Sequence, residues 1–184
     1  ADQVLAEAGR RPVTPKGLER VLALKGGFVP TDEGMGTALK NVFATGDVTG
    51  KTTYFHAAVR ESVVAANNVM AGGGRIDYFD VRDVPVSIFT LPPIAYVGIT
   101  LSYLLKRDVI AQVYDERVGE VSVFVEKETM RVVGGWVIGE DAPEVINEIG
   151  LAAQAGLNIR VMAEYAGQHP VPFEDLSYAA RNAL

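Results

Sequence analysis

The sequence predicts an α+β fold, and three features carry that expectation. Short runs beyond Val84 show the alternation or β-branched content of strands, clearest in Val121-Ser122-Val123-Phe124-Val125-Glu126. Helical patterns follow these runs in a block and do not alternate with them. Charged or glycine-bearing turns separate the runs, which predicts antiparallel pairing. The expected product is a sheet of about four or five strands, an ordinary size, with helices packed on one face.

Each element has its own signal. Residues 2–8 read as a short strand ending at Gly9-Arg10-Arg11-Pro12, where the Arg-Pro junction forces extended or turn geometry. Residues 13–40 are punctuated by proline and glycine and read as irregular. Asn41 to Thr45 reads as a strand running into Gly46-Asp47. From Thr53 to Met70 the pattern is helical, with Val59, Val63, Ala66 and Met70 forming one apolar stripe. Gly72-Gly73-Gly74 is a helix stop and linker, since no helical pattern follows it as a phosphate loop would require.

The texture changes between about 72 and 84, so the boundary is set at 1–82 and 83–184. Strands are predicted at 86–90 and 94–99, around Pro92-Pro93, and then at 109–114, 121–127 and 131–138. Gly134-Gly135 falls among strand-like residues and reads as a turn or bulge. Trp136 reads as a core or interface residue. A helix starts at Asp141, the expected N-cap, with Pro143 in its first turn and Glu144 completing a capping box. Its buried face is Val145, Ile149, Ala152 and Ala153. Short helices are predicted over 158–166 and 173–183.

Composition narrows the function. The chain has 184 residues, no cysteine, two histidines and a formal charge of −6. Without cysteine it holds no disulfide, thiolate metal site or cysteine nucleophile. Two histidines argue against a histidine-rich metal centre, so no metal site is assigned. The acidic balance argues against nucleic acid as the main partner. No apolar run reaches the roughly 18 residues that a membrane span needs, and no basic-then-apolar leader is visible. The expectation is a cytoplasmic protein without membrane contact. The abrupt start at Ala1 predicts a piece of a longer protein, or alternatively a trimmed or processed terminus.

Two constellations carry chemistry. Asp47 ends a strand after a glycine, a placement that suits hydrogen bonds to sugar hydroxyls or simply caps a turn. His169 and Glu174 lie five residues apart. They form either an acid/base pair with an orienting carboxylate or a His-Pro turn followed by a helix-cap glutamate. His56 reads equally as a solvent-facing helix start or a structural residue. Arg10 and Arg11 could neutralise phosphates, but a solvated turn is the simpler reading.

Four motifs then occur in order: Gly9-Arg10-Arg11-Pro12, Val42-Phe43-Ala44-Thr45-Gly46-Asp47-Val48, Phe89-Thr90-Leu91-Pro92-Pro93-Ile94-Ala95-Tyr96-Val97-Gly98, and His169-Pro170-Val171-Pro172-Phe173-Glu174. In this order and spacing the chain resembles the C-terminal portion of the FAD-dependent pyridine nucleotide–disulfide oxidoreductases, most of all the dihydrolipoamide dehydrogenases. Val171 stands where the family has Thr, Leu101 where an acidic residue is common, and Glu61-Ser62 where Glu-Gly is frequent. The tail lacks the vicinal cysteines of mercuric reductases, which disfavours that activity.

The resemblance implies the end of a nucleotide-binding domain and the C-terminal part of a flavin-binding α/β domain over 1–82, joined to an interface domain over 83–184 that makes a homodimer. It implies that Gly46, Asp47, Tyr54, Phe55 and His56 belong to an FAD site only partly present here. His169 would be the acid/base toward thiols, with Glu174 its orienter. Electrons would pass between a dithiol or disulfide and NAD(P), by way of FAD. The redox cysteine pair and both GxGxxG motifs would lie in upstream FAD and NAD domains, so this chain alone is expected to show no turnover. Two other readings stay open. One is a non-catalytic dimerisation module; the other is a different superfamily member, such as a glutathione-type reductase, transhydrogenase or NADH oxidase.

Overall fold

The computed structural model describes residues 2–72, 74–98, 112–115 and 119–184, with the backbone alone for 112–115. The chain divides into two compact units, Ala1–Val81 and Arg82–Leu184.

In the first unit, irregular chain surrounds one long helix, α1, Phe55–Met70. Two single turns of 3₁₀ helix occur at Leu18–Arg20 and Gly46–Thr49. Neither strand predicted in this unit forms. Residues 2–10 carry no regular structure, and Val4 and Leu5 are both 87% exposed, so both sides of the alternation face water. A strand without a partner leaves its backbone groups unpaired and is not stable alone. The 41–45 run reduces to one bridge, Gly36 to Phe43, because Asn41 turns the chain at φ 63° just before it.

The helix α1 starts two residues later than predicted, and its apolar stripe faces outward. Val59, Val63 and Met70 are 48%, 46% and 86% exposed. The buried side is Ala57, Glu61, Val64, Ala65 and Asn68. Asn68 explains how a polar residue can sit there. Its Nδ2 donates to Gly34 O and Asp77 O, at 3.0 and 2.9 Å, and its Oδ1 accepts from the amides of Ile76 and Asp77. All four bonding positions of the amide are used, which offsets its desolvation. Arg60 reinforces the same return strand of chain with a two-pronged bond to Asp77, 2.9 and 2.6 Å. The helix ends where Gly72 adopts φ 68° and donates to Val69 O. Gly73 lies outside the described residues.

In the second unit, five strands form one antiparallel sheet: β1 Val86–Ile88, β2 Ile94–Gly98, β3 Gln112–Asp115, β4 Gly119–Val125 and β5 Val132–Ile138. The spatial order is β1-β2-β5-β4-β3. Part of the predicted 109–114 strand, and Leu101, lie outside the described residues. Alternate residues of the central strands, Ala95, Val97, Val121, Val123 and Val137, enter one core with three helices on one face. These are α2 Ala142–Gln154, α3 Ile159–Glu164 and α4 Phe173–Asn182. The sheet and the helices on one face match the α+β expectation.

Gly134 and Gly135 are not a turn. Both lie within β5, and the register with β4 slips beside them, between Phe124 and Val125. Gly135 is needed for close approach, since a Cβ there would stand 2.4 Å from Ser122 O. Trp136 is half-buried beside it, packs edge-on to Phe124, and donates from Nε1 to Glu120 Oε1 at 2.9 Å.

The helix α2 begins as predicted but without the capping box. Asp141 makes no side-chain cap bond. Its ψ of 12° departs from the extended geometry that places an N-cap oxygen over the first amides. Its carbonyl accepts from Glu144 N and Val145 N instead. Of the predicted buried face, Val145, Ile149 and Ala152 are buried and Ala153 is half-buried. By contrast Asn158 does cap α3, its Oδ1 accepting from Arg160 N at 2.9 Å.

Candidate functional site

In the first unit, the turn Gly46–Thr49 and the first turn of α1 meet. Gly46 takes φ 79°, a left-handed conformation that costs other residues strain. Its amide donates to Glu61 Oε2 at 2.5 Å, across fifteen residues of sequence. Ser62 Oγ donates to Ala58 O within α1 at 2.8 Å and accepts from Thr45 Oγ1 at 3.2 Å, so the Gly46–Glu61 and Thr45–Ser62 bonds tie the turn to α1 at two levels. Asp47 next to it is exposed, and Arg10 Nη1 approaches its Oδ2 at 3.4 Å. The Arg10 side chain thus faces a carboxylate in this turn, an arrangement its sequence reading as a solvated turn did not include.

Tyr54, Phe55 and His56 open α1 and are exposed, Phe55 to 85%. The rings of Tyr54 and His56 stack with centroids 5.7 Å apart. No side chain caps this helix start, and no acidic residue stands in its first turn. The sixteen-residue helix thus begins with the partial positive charge of its first amides and no acidic residue of its own in that turn. Gly46, Asp47, Tyr54, Phe55 and His56 all fall within the junction of this turn and this helix start.

Glu61 was not assigned a role from sequence. It is fully buried, and burial pushes its carboxyl above the ordinary value, against the bond from Gly46 N and the Lys51 charge. Sequence periodicity did not mark it, because the apolar stripe it picked out runs through Val59, Val63 and Met70. Positions 57, 61, 64, 65 and 68 make a helical face, and a carboxylate in the middle of such a face must bond to something.

In the second unit, His169 lies in the loop between α3 and α4, and Glu174 is the second residue of α4. His169 Nδ1 and Glu174 Oε1 are 2.9 Å apart. The glutamate side chain is 18% exposed and the histidine 76%. An anchored carboxylate therefore fixes one face of a ring that is otherwise accessible. With Nδ1 donating to Glu174, the neutral ring carries its lone pair on Nε2, which is the form a general base requires. Glu174 itself is set by the first turn of α4, where Glu174 N donates to Val171 O. Val171 supplies this carbonyl, a backbone role that is indifferent to its side chain.

Among the described residues, no group of three or more His, Asp or Glu side chains is placed to hold a metal ion. No described helix is long and apolar enough to cross a membrane.

Comparison with known proteins identifies two matches along the chain. Residues 84–180 match the dimerisation domain of pyridine nucleotide-disulphide oxidoreductases, and residues 1–62 match the pyridine nucleotide-disulphide oxidoreductase model. Dihydrolipoyl dehydrogenase 3 of Haloarcula marismortui is 30% identical over 100% of this chain and 41% of its own length. The dihydrolipoyl dehydrogenase of Chlamydia trachomatis is 31% identical over 92% of this chain and 39% of its own. The chain thus spans about two fifths of these curated relatives. Among solved structures, LpdA of Mycobacterium tuberculosis superposes with a TM-score of 0.81 at 26% identity, over 95% of this chain and 41% of that one. RclA of Escherichia coli, a flavoprotein disulfide reductase, shares the fold with a TM-score of 0.80 at 24% identity, over 95% and 43%.

Proposed function

Because the chain belongs to the pyridine nucleotide-disulphide oxidoreductase family, we propose that it works as the acid/base and interface part of a dihydrolipoamide dehydrogenase-like flavoenzyme. Such an enzyme passes electrons between a dithiol or disulfide and NAD(P) by way of FAD. The observation that carries this reading is the His169–Glu174 bond of 2.9 Å, with the carboxylate sheltered and the ring open. A thiol gives up a proton before it attacks or is oxidised, and a disulfide takes protons back on reduction. A histidine held in one tautomer by a carboxylate suits both directions.

The first unit fits part of a flavin. The Asp47 carboxylate is exposed on its turn, where ribityl hydroxyls can donate to it. The exposed Tyr54–His56 segment, at an uncapped helix start, presents positive potential toward a ring that gains negative charge. When bound, FAD supplies the two-electron relay between nicotinamide and disulfide. Gly46 lets the turn lie close to α1, and Glu61 holds it there. In this reading, residues 1–82 complete an FAD-binding domain and 83–184 form the interface domain. Redox cysteines and nucleotide-binding segments would belong to upstream FAD and NAD domains of the full-length protein.

The second unit carries apolar surface suited to a homodimer. Ile88, Phe89, Leu91 and Tyr96, on or beside β1 and β2, are 47%, 81%, 97% and 45% exposed. Isologous pairing is the commonest way to cover such a surface. The working location would be the cytoplasm.

The test is His169→Gln in the full-length flavoenzyme, assayed with dihydrolipoamide and NAD. The expected result is a fall in kcat of roughly 10²–10⁴-fold with FAD still bound. A kcat within twofold of wild type would remove His169 from the reaction. Sedimentation at micromolar concentration tests the interface, and a monomer would count against it.

A further inference from the structure

The His169–Glu174 bond joins the loop to the start of α4, and its geometry depends on how that loop is seated. The loop leaves α3 at Tyr165 and enters α4 at Phe173. These two residues meet ring on ring, edge to face, with centroids 5.5 Å apart. Between them the chain turns tightly, with Gly167 N donating to Tyr165 O at 3.0 Å. At that turn the Phe173 ring lies directly against the Gly167 backbone. A Cβ on Gly167 would stand 2.4 Å from Phe173 Cδ1 and 2.6 Å from its Cε1. Those distances are impossible for a real contact, so no side chain fits at 167 while the ring stays in place.

The ring is not free to give way without consequence. It packs against the core of the second unit, and it is pinned on its other side by Tyr165. Its neighbours in sequence matter as much. Phe173 directly precedes Glu174, and Gly167 lies two residues before His169. The contact thus joins the two arms of the loop immediately beside the residues that carry the pair.

We propose that the Tyr165–Phe173–Gly167 contact is a clamp that positions His169 and Glu174 for their hydrogen bond, with Gly167 and Phe173 as positioning residues. This rests on the acid/base reading of the pair for its functional meaning. The clamp itself does not touch the reacting groups. It holds the loop so that Nδ1 meets the carboxylate and the lone pair of the neutral ring stays on Nε2.

The test uses the 184-residue chain with ¹⁵N-labelled histidine, observed by long-range proton–nitrogen correlation at a pH well above the histidine range. The ring nitrogen shifts report which nitrogen carries the proton. Glu174→Ala supplies the reference pattern for a ring without its carboxylate. Gly167→Ala is expected to move the His169 nitrogens most of the way toward that reference, leaving those of His56 in place. The double variant Gly167→Ala/Phe173→Leu, which withdraws the ring edge, is expected to bring them back toward wild type. Should Gly167→Ala fail to fold, Phe173→Ala opens the same contact without crowding, and the same displacement is expected. A wild-type pattern in Gly167→Ala, or in Phe173→Ala where that variant stands in for it, overturns the clamp. So does failure of the double variant to restore a pattern that Gly167→Ala has moved. The acid/base reading is judged separately, by turnover of His169→Gln. If the nitrogen shifts respond while turnover is unchanged, the clamp stands and the acid/base role falls.

Discussion

Asp77→Asn isolates the ion pair that ties the end of the first unit to α1. Hydrogen bonds from Arg60, then from Asn67 and the Tyr78 amide, hold the Asp77 carboxyl at about 2, against an ordinary value of 3.8. At about 1.4 kcal/mol per tenfold, that depression corresponds to an upper bound of roughly 2.5 kcal/mol. The Arg60 side chain is 40% exposed, so solvent screening reduces the contribution to about 1 kcal/mol. The direction follows from the depressed folded value. The stabilisation is fully present above the unfolded carboxyl value and is lost as pH falls through about 2. Asparagine keeps the shape but never carries the charge. Wild type should therefore exceed the variant by about 1 kcal/mol near pH 6, with the gap closing as the solution is acidified toward pH 2. The assay must read the first unit, and the only tryptophan, Trp136, lies in the second. Hydrogen exchange at the Ile76 and Asp77 amides, both bound to Asn68, is the direct measure. A gap that does not change with pH, or that widens on acidification, would refute the reasoning.

Three other substitutions have clear expected outcomes. Gly135→Ala places a methyl 2.4 Å from Ser122 O and 3.1 Å from Ile149, and should destabilise the second unit by about 2 kcal/mol, read by Trp136 emission during urea unfolding. Asn68→Ala strands two carbonyls and two amides in the first unit and should cost about 2–3 kcal/mol, seen as faster exchange at Ile76 and Asp77. Ile149→Ala removes a fully buried side chain from the helix–sheet core and should cost about 2–5 kcal/mol, read by the same emission.

The second unit was the more legible of the two because its signals are local and its partners lie within it. Alternation over 121–125 places Val121 and Val123 toward the helices, and the strand forms with its neighbours on both sides. In the first unit the same reasoning misled. The period of α1 was right, but the stripe of Val59, Val63 and Met70 faces outward while Glu61 and Asn68 are buried. Periodicity measures which side is apolar. It does not register a loop that arrives from elsewhere with hydrogen-bonding groups to match a polar side. For the same reason the runs at 2–8 and 41–45 look like strands and are not, since alternation says nothing about whether a partner exists.

The candidate site was legible where residues sit close in sequence. His169 and Glu174 are five apart, and their pairing needs only one loop and one helix start. Glu61 and Gly46 are fifteen apart on different elements, and the clamp on Gly167 depends on where an aromatic ring comes to rest. Contacts of that kind are properties of the packed molecule. The missing cap on Asp141 belongs with them, because a ψ of 12° is set by the path of the chain from β5.

The unequal cores of the two units have a calorimetric consequence. The second is built around one cluster of nineteen buried apolar residues among those described. Among the described residues, the first hides far fewer apolar side chains, while each unit buries three polar ones, Thr49, Glu61 and Asn68 against Ser122, Asp175 and Ser177. Exposing apolar surface raises heat capacity, and exposing polar surface lowers it. The second unit should therefore have the more sharply curved stability profile, with a steeper loss on cooling, while the first should respond more weakly to temperature near its optimum. Chilling the chain would then cost the second half of the molecule more stability than the first.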